Sequence, residues 1–155
     1  MKKIAAGLVM SALLPSLAWA QPPAGPLGIG LGGGLGVSGL SAKYHTGGSA
    51  FQAMLGAQGL GSDGGGGLAV GLDYLLEQPD LAAGSVLNVG WNYGLGGTVG
   101  IGDSIGVGAS GVVGLELNFQ PVPIDLVIEY RPGVVVVPDF GLNLINFSSH
   151  IRFYF

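Results

Sequence analysis

The sequence has no cysteine, few charges and no long apolar run, and each absence removes a class of function. Without cysteine there is no disulfide, no thiol nucleophile, no iron–sulfur cluster and no Cys-ligated zinc. Lys and Arg number 5 against 9 Asp and Glu, so the basic stripe that nucleic acid demands is missing. No stretch reaches the roughly 18 apolar residues of a membrane-spanning helix. Charged residues make up 9% of the chain and hydrophobic ones 48%, the reverse of a solvated, disordered tail. Glycine is plentiful, at 32 of 155 residues, yet it lacks the G-X-Y period of collagen. The length suits one domain.

Residues 1–20, MKKIAAGLVMSALLPSLAWA, have the layout of a secretory signal peptide. Lys2 and Lys3 form the charged start, Ile4–Leu14 the apolar stretch, and Ala18-Trp19-Ala20 the small-x-small cleavage pattern. The expected division is a signal peptide at 1–20, a short lead at 21–26 and one folded domain at 27–155. Cleavage after Ala20 leaves Lys43, Arg131 and Arg152 as the only cations against the nine acids. Position 21 is Gln, which closes the lipoprotein route.

From Leu27 onward the pattern alternates at period two. Leu68, Val70, Leu72, Tyr74 and Leu76 share one face of LAVGLDYLL, and Ala69, Gly71, Asp73 and Leu75 the other. The same division separates Leu87, Val89, Trp91 and Tyr93 from Asn88, Gly90 and Asn92. In IDLVIEYR it separates Ile124, Leu126, Ile128 and Tyr130 from Asp125, Val127, Glu129 and Arg131. Such alternation marks strands with two unlike faces. Turn residues divide the chain into eight expected strands, at about 26–33, 35–45, 50–59, 67–76, 86–101, 105–119, 123–137 and 142–155.

The charges tell which face is wet. Asp63, Glu77, Asp80, Asp103 and Asp139 fall in expected turns. Lys43, Asp73, Glu116, Asp125, Glu129, Arg131 and Arg152 all lie opposite the Leu, Val, Ile and aromatic face of their strands. Aromatic residues do the converse, with Tyr154 the strand exception, and many sit near strand ends, where rings settle at lipid headgroups. An apolar outside around a polar, glycine-rich inside is an inverted barrel. A sheet in lipid must also close on itself, because an open edge strands backbone groups without partners. The reading is therefore all-β: an eight-stranded antiparallel transmembrane β-barrel.

The chain ends in Phe155, with Phe153, Ile151 and Phe147 on the same face. With GIGLG at 28–32, GLSAKY at 39–44, LDYLL at 72–76, IDLVIEYRPG at 124–133 and IRFYF at 151–155, it resembles a functionally uncharacterised family. These are small eight-stranded outer-membrane barrels of Gram-negative bacteria, similar in size to the OmpA and OmpX barrels. The resemblance implies Sec-dependent export to the outer membrane and recognition by the barrel-assembly machinery through the strand ending in Phe155. It implies no substrate, cofactor or catalytic residue. Gly32-Gly33-Gly34 replaces a more polar, Pro-containing turn of the family and leaves the first hairpin's register open.

Eight strands enclose a space just wide enough to be filled by side chains. Lys43, Asp73, Glu116, Asp125, Glu129, Arg131, His150 and Arg152 are expected to form a polar network there, with Glu129–Arg131 and Arg152–Asp125 as pairs. That points to a structural or membrane-integrity role. Two alternatives remain: a narrow pore for small solutes, since inward glycines such as Gly71, Gly94, Gly96, Gly106, Gly108 and Gly114 remove volume, and a lipid-A or phospholipid esterase built on Ser148 and His150 with Glu129 or Glu116. Gly28-x-Gly30 and Gly33 formally match a dinucleotide fingerprint, but no βαβ unit follows. His45 and His150 lie on distant strands without a close third ligand, so neither a metal nor a cofactor is expected.

Overall fold

The computed structural model describes residues 25–34, 36–58 and 67–155. The expected signal peptide at 1–20 and the turn around Asp63 lie outside the described residues. The strands are β1 Leu27–Gly34, β2 Val37–His45, β3 Ser49–Gln58, β4 Leu68–Ala83, β5 Leu87–Ile101, β6 Ile105–Phe119, β7 Ile124–Tyr130, β8 Gly133–Val137, β9 Gly141–Asn143 and β10 Phe147–Tyr154. Pairing is antiparallel throughout, between chain neighbours from β1 to β7, then β7 with β10 and β10 with β1. The ring therefore closes.

Ten segments make eight staves. β7 and β8 are one stave seen on either side of Pro132, which has no N–H to give the ladder. Gly111 N–H still donates to Pro132 O at 2.9 Å, and β6 pairs with β7 and with the start of β8 in one register. β9 and β10 are likewise one stave, separated by a bulge at Leu144–Asn146. A walk around the hydrogen bonds fixes the stagger. From Phe119 it passes Ile124, Phe153, Ile29, Ala42, Ala53, Leu72 and Gly97, and returns to β6 at Ala109, ten residues along. Ten residues at about 3.3 Å over eight spacings of about 4.8 Å set a strand tilt of roughly 40°, the geometry of a small closed barrel.

One expected boundary fails. Glu77, Gln78, Pro79 and Asp80 read as a turn, but β4 continues through them to Ala83, with a register shift between Gln78 and Ala82. Pro79 removes a ladder donor, and the strand absorbs it as a bulge rather than ending. Glu77 consequently points into the barrel, fully buried.

The two faces differ as the alternation requires. Leu31, Leu40, Leu55, Leu72, Leu95, Ile128, Phe147 and Ile151 are each more than half exposed on the outside. Inside lie the buried Lys43, Glu77, Glu116, Asp125, Glu129 and Arg152. Among the described residues, buried apolar side chains form two small clusters, Val37–Met54–Ala69 and Ala50–Leu75–Val112.

The glycines of β1 explain how long polar side chains fit in so narrow a tube. Gly28, Gly30, Gly32 and Gly34 face inward and pair directly with Tyr154, Arg152, His150 and Ser148. A Cβ at Gly28 would meet the Tyr154 ring at 2.6 Å, and one at Gly32 would meet His150 Nδ1. The GIGLG run is thus one bare stave beside a crowded one.

Candidate functional site: the buried polar network and the cup above it

Gly25, Phe155 and the turns at 46–48, 84–86 and 120–123 lie at one end of the barrel, and the turns at 102–104 and 138–140 at the opposite, loop end. The half nearer the termini is filled by side chains from seven staves. At its base the Lys43 ammonium sits 2.7 Å from Glu77 Oε1 and also bonds Glu116, whose carboxylate accepts from Asn92 Nδ2. Arg152 Nε donates to both Asp125 oxygens at 3.2 and 3.1 Å, and Tyr154 Oη donates to Asp125 at 2.7 Å. The His45 ring lies 3.3 Å from Tyr154 Oη, and its other nitrogen is 3.6 Å from Glu77 Oε1, beyond hydrogen-bond reach.

Nearer the middle, Arg131 spans two carboxylates. Its Nη1 donates to Asp73 Oδ2 at 2.9 Å and to Glu129 Oε2 at 2.8 Å, while Nη2 donates to Asp73 Oδ1 at 2.5 Å. The fork of a guanidinium suits this double grip where a lysine would hold only one point. Gln52 is the hinge of the network. Its Nε2 donates to Asp73 and Glu129, each at 2.9 Å, and its Oε1 accepts from Arg152 at 2.5 Å. One hydrogen-bonded web therefore runs from Arg131 through Gln52 and Arg152 to Asp125, Tyr154 and His45, with the Lys43–Glu77–Glu116 group beside it, Glu77 Oε1 lying 3.6 Å from His45 Nδ1.

All eight residues expected inside are brought there, and both expected pairs form: Glu129–Arg131 at 2.8 Å and Asp125–Arg152 at 3.0 Å. Sequence reasoning missed Gln52, Ser41 and Glu77. Gln52 and Ser41 were legible, as polar residues at inward positions between Phe51 and Ala53, and between Leu40 and Ala42. Glu77 was not, because Pro79 looked like the end of the strand. Its addition gives five buried carboxylates against three cations.

Ser148 and His150 do not form a nucleophile–base pair. Ser148 Oγ donates to Glu129 Oε2 at 2.8 Å, and His150 Nε2 approaches the same oxygen at 3.1 Å. The other ring nitrogen of His150 lies 3.0 Å from Ser41 Oγ. Both side chains are held by Glu129 rather than by each other.

Above Arg131 the packing stops. The loop-end half encloses a cup of about 610 Å³, floored by Asp73, Arg131 and Ser148 and walled by Val37, Met54, Gln58, Thr98, Val135 and several glycines. A volume of this size is in the range of small-molecule sites. Comparison with protein-family models, with curated proteins and with solved structures returned no match.

Proposed function

We propose that this chain is an outer-membrane barrel of a Gram-negative bacterium with a structural, membrane-integrity role, its lumen closed by the polar network rather than conducting. The observation that carries the reading is the segregation of side chains. Large apolar residues cover the outer wall from Leu27 and Phe153 near the termini to Ile101 and Ile105 at the loop end. Lys43, Asp73, Glu77, Glu116, Asp125, Glu129 and Arg152 of the strands are buried on the inner face. In water such a wall would be an apolar surface many times larger than a monomer tolerates. In a bilayer it is the expected solvent contact, and the closed ladder leaves no strand edge around the filled half.

Aromatic residues support an interface near the termini. Tyr44, Phe51, Tyr74, Trp91, Tyr93, Phe153 and Phe155 gather there, with Phe51–Tyr74 and Phe153–Phe155 in ring contact at 5.2 and 5.3 Å. Amphipathic and bulky rings favour the headgroup level. The expected signal peptide fits Sec export, and the aromatic outer face of β10, with Phe147 and Phe153, fits handling by the barrel-assembly machinery.

The pore alternative needs a continuous aqueous path, and the web from Arg131 to Tyr154 together with the Lys43 group beside it occupies that path. Planar-bilayer recording of the refolded protein decides between them. The plugged reading expects no stable conductance, and a reproducible single-channel current would overturn it. Migration on a gel that shifts on boiling, with the protein in the outer-membrane fraction, tests the location.

A further inference from the structure

The cup is not walled equally on all sides. Among the described residues the β1–β2 pairing runs no higher than Gly32↔Gly39, whereas β5–β6 pairing climbs to Ile101↔Ile105 and the β8–β9 hairpin reaches Val137 and Gly141. At a tilt of roughly 40° each residue adds about 2.5 Å of height. Carried around the ring registers, Gly36 beside the start of β2 lies about 10 Å below the tips of β5–β6 and β8–β9. The wall between β9 and β1 is therefore notched. Among the described residues β9 pairs only with β8, and β10 meets β1 no higher than Ser148↔Gly34. The cup's lining includes both lips of this notch, Gly34 and Gly36 on one side and Asn143 and Asn146 on the other.

The notch opens toward apolar surroundings. Leu142, Leu144 and Ile145 beside it are 66, 59 and 77% exposed, and Leu40 and Leu55 flank it from the other side. If the outer wall meets hydrocarbon, as proposed above, so does this opening, and the free edge of β9 needs a polar partner there. The cup offers a matching interior. Val37, Met54 and Ala69 form a buried apolar patch just inside the notch. Gln58, Thr98, Ser110, Asn143 and Asn146 supply neutral hydroxyl and amide groups. The floor carries no spare positive charge, because Arg131 is already held by Asp73 and Glu129, and Asp103 stands at the mouth. An anionic head would be repelled.

We propose that the cup binds a neutral single-chain amphiphile with a hydroxylated head, of the monoacylglycerol class, which enters sideways from the bilayer through the notch between β9 and β1. This rests on the membrane reading. The chain passes between the Gly36 and Asn143 lips against Val37 and Met54, and the head's hydroxyls exchange hydrogen bonds with the cup's amides and the β9 edge.

The test is photolabelling of the full-length refolded protein in phosphatidylcholine vesicles, using a monoacylglycerol with a diazirine near the chain end. Peptide mapping should find label on the inward Val37, Met54 or Val135 as well as on outward residues such as Leu40 and Leu55. Gly106→Leu fills the cup, since a Cβ there has only Val137 O at 3.9 Å and Gln58 Nε2 at 4.0 Å nearby. That variant should lose at least tenfold of the inward label and keep the outward label. The fatty acid of equal chain length should give several-fold less inward label, and a water-soluble short-chain diazirine analogue none. Outward label alone in the wild type, or inward label indifferent to Gly106→Leu, would overturn the proposal. Equal inward labelling by the short-chain analogue would also overturn it, by showing entry from water. Absence of outward label too would refute the membrane reading itself.

Discussion

Replacing Lys43 by methionine tests how much the lumen network holds the barrel together. The ammonium is fully buried and faces two carboxylates, Glu77 and Glu116, neither of them more than 1% exposed. Methionine is close in shape, so the packing change itself should cost less than about 1.5 kcal/mol. The electrostatic change is larger. Removing one partner of a buried ion pair costs about 3–5 kcal/mol, because the remaining charge stays out of water without compensation. Two carboxylates are orphaned here, so the upper part of that range, about 4–5 kcal/mol, is expected. At about 2 kcal/mol per molar urea, the unfolding midpoint in vesicles should fall by roughly 2 M. The loss can be read from the fraction of the folded band on an unboiled gel. A triple variant, Lys43→Met with Glu77→Gln and Glu116→Gln, removes the stranded charges and should recover most of the loss. A midpoint shift below about 0.25 M for Lys43→Met, within scatter of a surface change, would refute the reasoning, since it would mean that water reaches these carboxylates. So would a triple variant no more stable than the single one.

Gly30→Ala places a Cβ against the Ile151 carbonyl and Arg152 Cα of the neighbouring stave, whereas a Cβ at Gly36 meets nothing within 4 Å. The first should lose about 1–3 kcal/mol in urea unfolding and the second stay within about 0.5 kcal/mol of wild type; equal behaviour would contradict the tight fit of β1 against β10. Leu72→Arg, at mid-height on the outer wall and 64% exposed, should cost about 2–4 kcal/mol in vesicles. Leu27→Arg, near the termini, should cost only about 0–1 kcal/mol, and a flat profile between the two would argue against a bilayer around the wall. Arg131→Lys keeps the charge but loses the fork shared by Asp73 and Glu129, and should lower the urea midpoint measurably while Arg131→Met lowers it further.

Most of the wall was readable before any coordinates, because period-two alternation converts directly into an inside and an outside. The expected strands at 86–101 and 105–119 match β5 and β6 within a residue. The network residues were readable for the same reason, since a charge in an alternating strand has only two directions to point. The misreadings have particular causes. Pro79 imitates a turn, yet a single missing donor can be accommodated by a bulge, so Glu77 was assigned to the wrong environment. Gln52 was overlooked because an uncharged amide among Phe51, Ala53 and Met54 draws little attention, although it bridges two guanidinium–carboxylate groups. The cup and the notch were not readable. They depend on how high each hairpin climbs around the ring, and that follows from the eight registers together rather than from any one strand.

The most direct test of the inverted wall is single-cysteine scanning, which the cysteine-free chain permits without a background substitution. A small fluorophore placed singly at positions 68 to 72 of β4 and 95 to 100 of β5 would be exposed to spin-labelled phospholipid in reconstituted vesicles. Quenching should alternate, strong at Leu68, Val70, Leu72, Leu95 and Val99, and weak at Ala69, Gly71, Thr98 and Gly100. Uniform quenching, or lipid contact at Ala69 and Thr98 with none at Leu72 and Leu95, would contradict it.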